Sequence, residues 1–166
     1  MLSLEIAIEA SWPAATDWAD LAFAAAEAAS FVAPELANPR LSASLLLADD
    51  AEVHALNRQW RAKDKPTNVL SFPMLERADL LALGRFGGDD APPELLGDIA
   101  MALETCTREA QEKGISLEHH ATHLIIHGLL HLAGYDHEIS PQHAADMEAL
   151  EIKALASMGI ANPYSD

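Results

Sequence analysis

The chain has 166 residues, half of them hydrophobic, and 26 acidic against 10 basic side chains give it a formal charge of −16. That length buries one sizeable core and is short for two, so residues 1–166 are expected to form a single domain. So acidic a total argues against indiscriminate coating of DNA or RNA, because neutralised phosphates supply most of a nucleic-acid binder's affinity.

The first residues, MLSLEIAIEASW, carry no basic run and no continuous apolar stretch, so neither secretion nor membrane insertion is expected. Residues 2–9 alternate apolar and polar and predict a strand with Leu2, Leu4, Ile6 and Ile8 on one face. The alanine-rich segment from Thr16 to about Phe31 predicts a helix, capped by Thr or Asp and closed before Pro34. LSASLLLA at 41–48 predicts a second strand, and Asp49 or Asp50 caps a helix through Val53, Leu56, Asn57 and Trp60. After a turn at Lys65-Pro66, NVLSFP at 68–73 is a short strand stopped by proline. Glu76 to Glu94, with three Gly and two Pro, is expected as a long loop with one helical turn. LLGDIAMAL at 95–103 predicts a strand running into a helix that ends near Gly114. Cys106 falls in that helix, where a lone cysteine fits a reducing cytoplasm and a half-buried packing role. Ser116 caps the next helix, which stops at Gly134; Ser140, Pro141 and Gly159 punctuate the last. About four strands and five helices in mixed order predict an α+β fold with a mixed sheet.

The chemistry concentrates in HGLLHLAGYDH, residues 127–137. On a helix, His127 and His131 project about 40° apart and roughly 6 Å along the axis, close enough to share one small ion. Gly134 stops the helix, and the chain can turn back to offer His137 as a third nitrogen, leaving a tetrahedral zinc one position for water. The metal site is therefore expected on a helix and its following turn. His123 and His120 lie on the same face and allow another register, but the apolar surroundings of His123 favour packing or a supporting hydrogen bond there. His119 and His120 are expected as first-turn surface residues.

The three-histidine spacing is that of the metzincin zinc peptidases, yet Gly128 stands where those enzymes carry their general-base Glu. Peptide cleavage normally needs that carboxylate to protonate a poor leaving nitrogen, whereas a Lewis-acidic zinc with a water of pKa about 7 suits a phosphodiester. Such a substrate needs cations. Arg58, Arg61, Lys63 and Lys65 place four of the ten basic residues within eight positions, and Arg61, Lys63 and Lys65 are the candidates for phosphate binding, with the Arg61 fork best suited to non-bridging oxygens. Asp136, beside His137, is a candidate base or ligand-orienting group.

These segments, with LNRQWRAKDKPTNVLSFP and LLGDIAMAL, resemble the YbeY family of bacterial rRNA-processing endoribonucleases, and MEALEIKALASMGIANPY is similar to that family's closing helix and G-x-x-x-P-Y ending. The pattern covers residues 56–73, 95–103 and 123–164; residues 1–40 and the 76–94 loop carry no diagnostic motif. The resemblance implies one Zn2+ held by His127, His131 and His137, and a catalytically important arginine at Arg61. It implies a cytoplasmic, single-strand-specific endoribonuclease acting in ribosomal RNA maturation, notably at the 16S rRNA 3′ end, and in ribosome quality control. Single-stranded and ribosomal RNA, the ribosome or a small-subunit ribosomal protein are the expected partners, with neither DNA nor membrane. Two other readings stay open at this point: a zinc-dependent peptide or amide hydrolase using Asp136 or Glu138 as base, and a non-enzymatic ribosome-assembly factor with structural zinc.

Overall fold

Strict alternation in LSASLLLA puts Leu41, Ala43, Leu45 and Leu47 on one face of a strand and Ser42, Ser44 and Leu46 on the other. The computed structural model, which describes residues 2–63, 67–83, 92–136 and 139–165, makes this strand, β2 (Leu41–Ala48), an inner strand of a four-stranded sheet. β1 (Ser3–Ile8) and β4 (Glu94–Ala102) flank it in parallel, and the short β3 (Val69–Pro73) pairs antiparallel with β4 at the far edge. An edge is where the terminal Pro73 costs least, since proline cannot donate to a ladder.

One sheet face carries the main core. There the even positions of β1 and the odd positions of β2 meet α1 (Trp18–Val32), α5 (Leu117–Leu132) and α6 (Pro141–Ser157). The alanines of α1 explain themselves by packing: Ala22, Ala25, Ala26 and Ala29 are fully buried, and their lack of bulk lets α1 lie close on α5. The opposite face is covered by α2 (Asp50–Arg61), whose Val53 and Leu56 cover Ala48, Leu70, Ala100 and Ala102.

Caps fall where the sequence asks for them. Asp17, Asp49, Ser116 and Ser140 each accept a bond from the backbone N–H three residues on, at 2.8–3.1 Å. Two expectations need correction. The segment after Glu76 forms a helix of its own, α3 (Arg77–Ala82), because Leu80 has a core site to fill; residues 84–91 of that segment and the Lys65-Pro66 turn lie outside the described residues. Cys106, on α4 (Leu103–Lys113), is fully rather than half buried, and burial, with Glu109 and Asp50 nearby, pushes its thiol up to about 12. Among the described residues no helix is long and apolar enough to cross a membrane.

α5 is buried nearly all round, and it crosses β4 at Gly128. A Cβ at that position would meet the Ile99 side chain at 3.0 Å, so the glycine is what lets helix and sheet approach. Gly128→Val is expected to overpack this contact and destabilise the protein by about 1–3 kcal/mol, measured as a fall in urea midpoint at unchanged slope.

Candidate functional site

Four histidines, at 120, 123, 127 and 131, follow the 3-4-4 spacing that aligns side chains along one stripe of a helix. On α5 their rings step down the axis with centroids 6.4, 6.5 and 6.3 Å apart. Most of this helix faces core, so every imidazole nitrogen that loses water needs a partner. Two carboxylates from other helices supply one nitrogen each of His120, His123 and His127, whereas the buried Nδ1 of His120 and of His123 has no hydrogen-bond partner among the described residues. Glu109 of α4 meets His120 Nε2 at 2.9 Å and also accepts from Asn68 Nδ2 at 2.9 Å. Glu151 of α6 meets His123 Nε2 at 2.8 Å and His127 Nδ1 at 3.1 Å.

Glu151 is 1% exposed and was not found by reading the sequence. Burial alone would push its carboxyl up, but the bonds from His123 and His127 and their charge outweigh that and hold it at about 2. An ionised carboxylate accepts and never donates, so the ring nitrogens that face it, His123 Nε2 and His127 Nδ1, each carry a proton. His127 Nε2 is thereby the nitrogen that would meet a metal, in the carboxylate–histidine–metal arrangement that orients such ligands. Tyr164, from the chain's closing segment, adds its hydroxyl to Glu151 at 3.1 and 3.2 Å. Burial and the Glu151 charge hold that phenol above its ordinary value, so it remains a donor.

His127 and His131 line a cavity of about 420 Å³, and three cations line it with them: Arg61, Lys63 and Lys113. Arg61 and Lys63 reach it through a turn. α2 ends as Ala62 takes a left-handed conformation, φ 55°, and the Ala62 and Lys63 N–H groups both return to the Asn57 carbonyl. Of the three cations the sequence singles out for phosphate binding, Arg61 and Lys63 join the histidine pair at this cavity, and Lys113 is a further one. Ser71 and Val69 face the same cavity because β3 turns its odd positions toward it.

The end of α5 is clamped from a distance. Arg77 Nη1 donates to the Ala133 carbonyl at 2.7 Å, its guanidinium lies 4.5 Å from the Tyr135 ring centre, and Tyr135 donates to Glu35 at 2.8 Å. Gly134, φ 101°, makes the bend between them. The turn entering the third-histidine position is thus held on both sides. Asp136 belongs to this turn and is half-buried, but it is not among the described residues lining the cavity. His137 and Lys65 lie outside the described residues. A separate acidic group, Glu9, Asp49 and Glu52, gathers within 4.8 Å where β1 ends and α2 begins. The hydrogen bond with Glu52 pushes Glu9 up to about 7, the mark of two carboxyls sharing a proton.

One histidine departs from expectation and another meets it. His120 is 1% exposed rather than at the surface, because the stripe continues one turn further than the metal motif. His123 makes the supporting hydrogen bond expected of it, although its partner comes from α6, 28 residues away.

Comparisons with known proteins agree with one another. The family model described as Endoribonuclease YbeY matches residues 9–159. The Endoribonuclease YbeY of Novosphingobium aromaticivorans is 61% identical over 162 residues, covering 98% of this chain and 95% of that protein. That of Erythrobacter litoralis is 60% identical over 165 residues, covering 99% of each. The solution structure of TM1509 from Thermotoga maritima is 23% identical and superposes with a TM-score of 0.57 over 98% of this chain and 99% of that one, which shows a shared fold.

The His120–Glu109 pair generates a pH dependence. Burial holds His120 below the ordinary 6.5, against the pull of Glu109, so the folded protein keeps it neutral while the unfolded chain takes up a proton. Burial would raise Glu109, but its bonds from His120 and Asn68 hold it below 4.5. Both groups have lowered folded values, so both contribute stability that is whole above their unfolded values and is lost as pH falls. His120→Asn is expected to flatten the drop in urea midpoint between about pH 6.5 and about pH 5; an equally steep drop in the variant would show that His120 is protonated in the fold.

Proposed function

The chain belongs to the endoribonuclease YbeY family, and on that premise we propose that it is a metal-dependent, single-strand-specific endoribonuclease acting in ribosomal RNA maturation, at the 16S rRNA 3′ end and in ribosome quality control. Residues 1–166 act as one domain in the cytoplasm, with ribosomal RNA as substrate and the ribosome or a small-subunit ribosomal protein as partner. The observation that carries the reading is the convergence of Arg61, Lys63 and Lys113 on the cavity that His127 and His131 line, in a chain whose net charge is −16. Cations drawn to one concave site in an acidic protein mark the place for an anionic ligand.

In this proposal His127, His131 and His137 hold one Zn2+, and the donor set fits: two imidazoles from one helix stripe, one with its tautomer fixed by a buried carboxylate. Bound there, zinc supplies Lewis-acid polarisation of a phosphate oxygen and a water of lowered pKa. The remaining work belongs to the chain. Arg61 offers two parallel donors to the non-bridging oxygens, where charge grows toward the transition state. Lys63 and Lys65 bind the neighbouring phosphate charge, and Asp136 accepts a proton or orients His137. An amide hydrolase has less support. The carboxylate it would need after the first histidine belongs at 128, and a side chain there points at Ile99 of the sheet.

Two measurements test this. Arg61→Ala is expected to lower the rate of single-stranded RNA cleavage by about 10²–10³-fold with bound zinc unchanged. Glu151→Gln, which removes the acceptor-only carboxylate behind His127, is expected to weaken zinc affinity by about 10–100-fold in chelator competition. Cleavage that persists in zinc-stripped protein would remove the metal from the proposal.

A further inference from the structure

A second cavity, also of about 420 Å³, adjoins the first, and the two share Lys113 and His123 as lining residues. The closing segment of the chain lines the second cavity through Ile160, Asn162 and Pro163, together with Ile115. Lys113 ends α4, is exposed and borders both spaces. Glu112 is the one carboxylate among the described residues that line the second cavity.

These features match what a single strand needs beyond the bond being cut. An endonuclease substrate continues on both sides of the scissile phosphate, and a sequence-tolerant strand site combines a cation for the backbone with apolar surface for a base face. Most of the protein's surface is unsuited to a polyanion, since acidic residues outnumber basic ones by 26 to 10. The exit over Lys113 offers a cation where the strand must cross, and the Ile115, Ile160 and Pro163 side chains offer an apolar floor beyond it.

We propose that the RNA strand passes from the cleavage cavity into this second cavity, with Lys113 holding the phosphate between them and the Ile115–Ile160–Pro163 wall receiving the flanking base. The proposal rests on the endoribonuclease reading for its ligand, and it adds the direction the strand takes. It also gives the Ile160–Ser165 segment two tasks, since Tyr164 supports Glu151 in the first cavity while its neighbours line the second.

The test compares zinc-loaded wild type, Lys113→Ala and, as a control on α6, Lys153→Ala, whose ammonium lies 5.5 Å over the Phe31 ring. Binding of a fluorescein-labelled single-stranded RNA dodecamer is followed by anisotropy across salt concentrations, and cleavage is followed on the dodecamer and on a dinucleotide. Lys113→Ala is expected to reduce the slope of log Kd against log salt by about 0.7, the loss of one single-strand phosphate contact, and to raise KM for the dodecamer about fivefold. The dinucleotide, too short to reach the second cavity, is expected to lose less from Lys113→Ala than the dodecamer does, and Lys153→Ala to change neither quantity. An unchanged salt slope in Lys113→Ala overturns the proposal, as does an equal loss on dinucleotide and dodecamer, which would put Lys113 at the cleaved bond. A wild type that binds RNA but cuts none, with Lys113→Ala still showing the expected slope change, would sink the nuclease reading and leave the strand path standing.

Discussion

A helix that is buried nearly all round and still carries four histidines along one stripe is the constraint on which this molecule turns. α5 has to satisfy core packing and imidazole hydrogen bonding at once. Its apolar positions, Leu124, Ile125, Leu129 and Leu132 among them, join the main core, and its histidines lean on Glu109 from α4 and Glu151 from α6. A buried carboxylate without donors would be costly, and a buried imidazole without an acceptor equally so; the two kinds of group are tolerable only together. The placement of α4 and α6 against α5 is thus tied to the chemistry of the stripe as well as to hydrophobic burial.

The same stripe divides labour along its length. At its amino-terminal end His120 and His123 meet carboxylates through Nε2, which ties them to α4 and α6 while they too line the cavity. At the other end His127 uses only Nδ1 for Glu151, and it and His131 border the cavity that Arg61, Lys63 and Lys113 share. The left-handed turn at Ala62 brings the α2 cations to that cavity, and the Arg77–Tyr135–Glu35 cluster holds the turn leading to the third histidine. Each of these supports comes from a different element, so the site is a property of the assembled fold.

That explains what could be read from the sequence. Strand and helix positions were legible wherever period and caps agreed, as at LSASLLLA and at Ser116, Ser140 and Gly159, because those signals are local. α3 was understated because a six-residue helix between turn residues has too few periods to declare itself, and its reason for existing is the site Leu80 fills. His127 and His131 announce themselves by spacing, and Arg61 and Lys63 by clustering. Glu151 does neither: within HAADMEALEIKALASM it is one acid among several on an otherwise amphipathic helix, and only the packing of α6 on α5 selects it over Glu148. Lys113 is equally silent, a common helix-terminal lysine whose meaning comes from what adjoins it.

Gly128 gains a reason that the motif alone could not supply. Comparison with peptidase spacing makes the residue a missing carboxylate, as though a functional group had been deleted. In the fold, position 128 is buried and points onto Ile99, where a side chain would press on the Ile99 methyl groups and a charge would lose its water. A carboxylate there would be driven against the sheet and toward its neutral form, since burying its charge unpaired is costly. The catalytic possibilities of the site are therefore limited by helix–sheet packing on one side of α5 and opened by the cations on the other. The proposed reaction draws on the positive charge gathered at the cavity and needs no proton carrier at position 128.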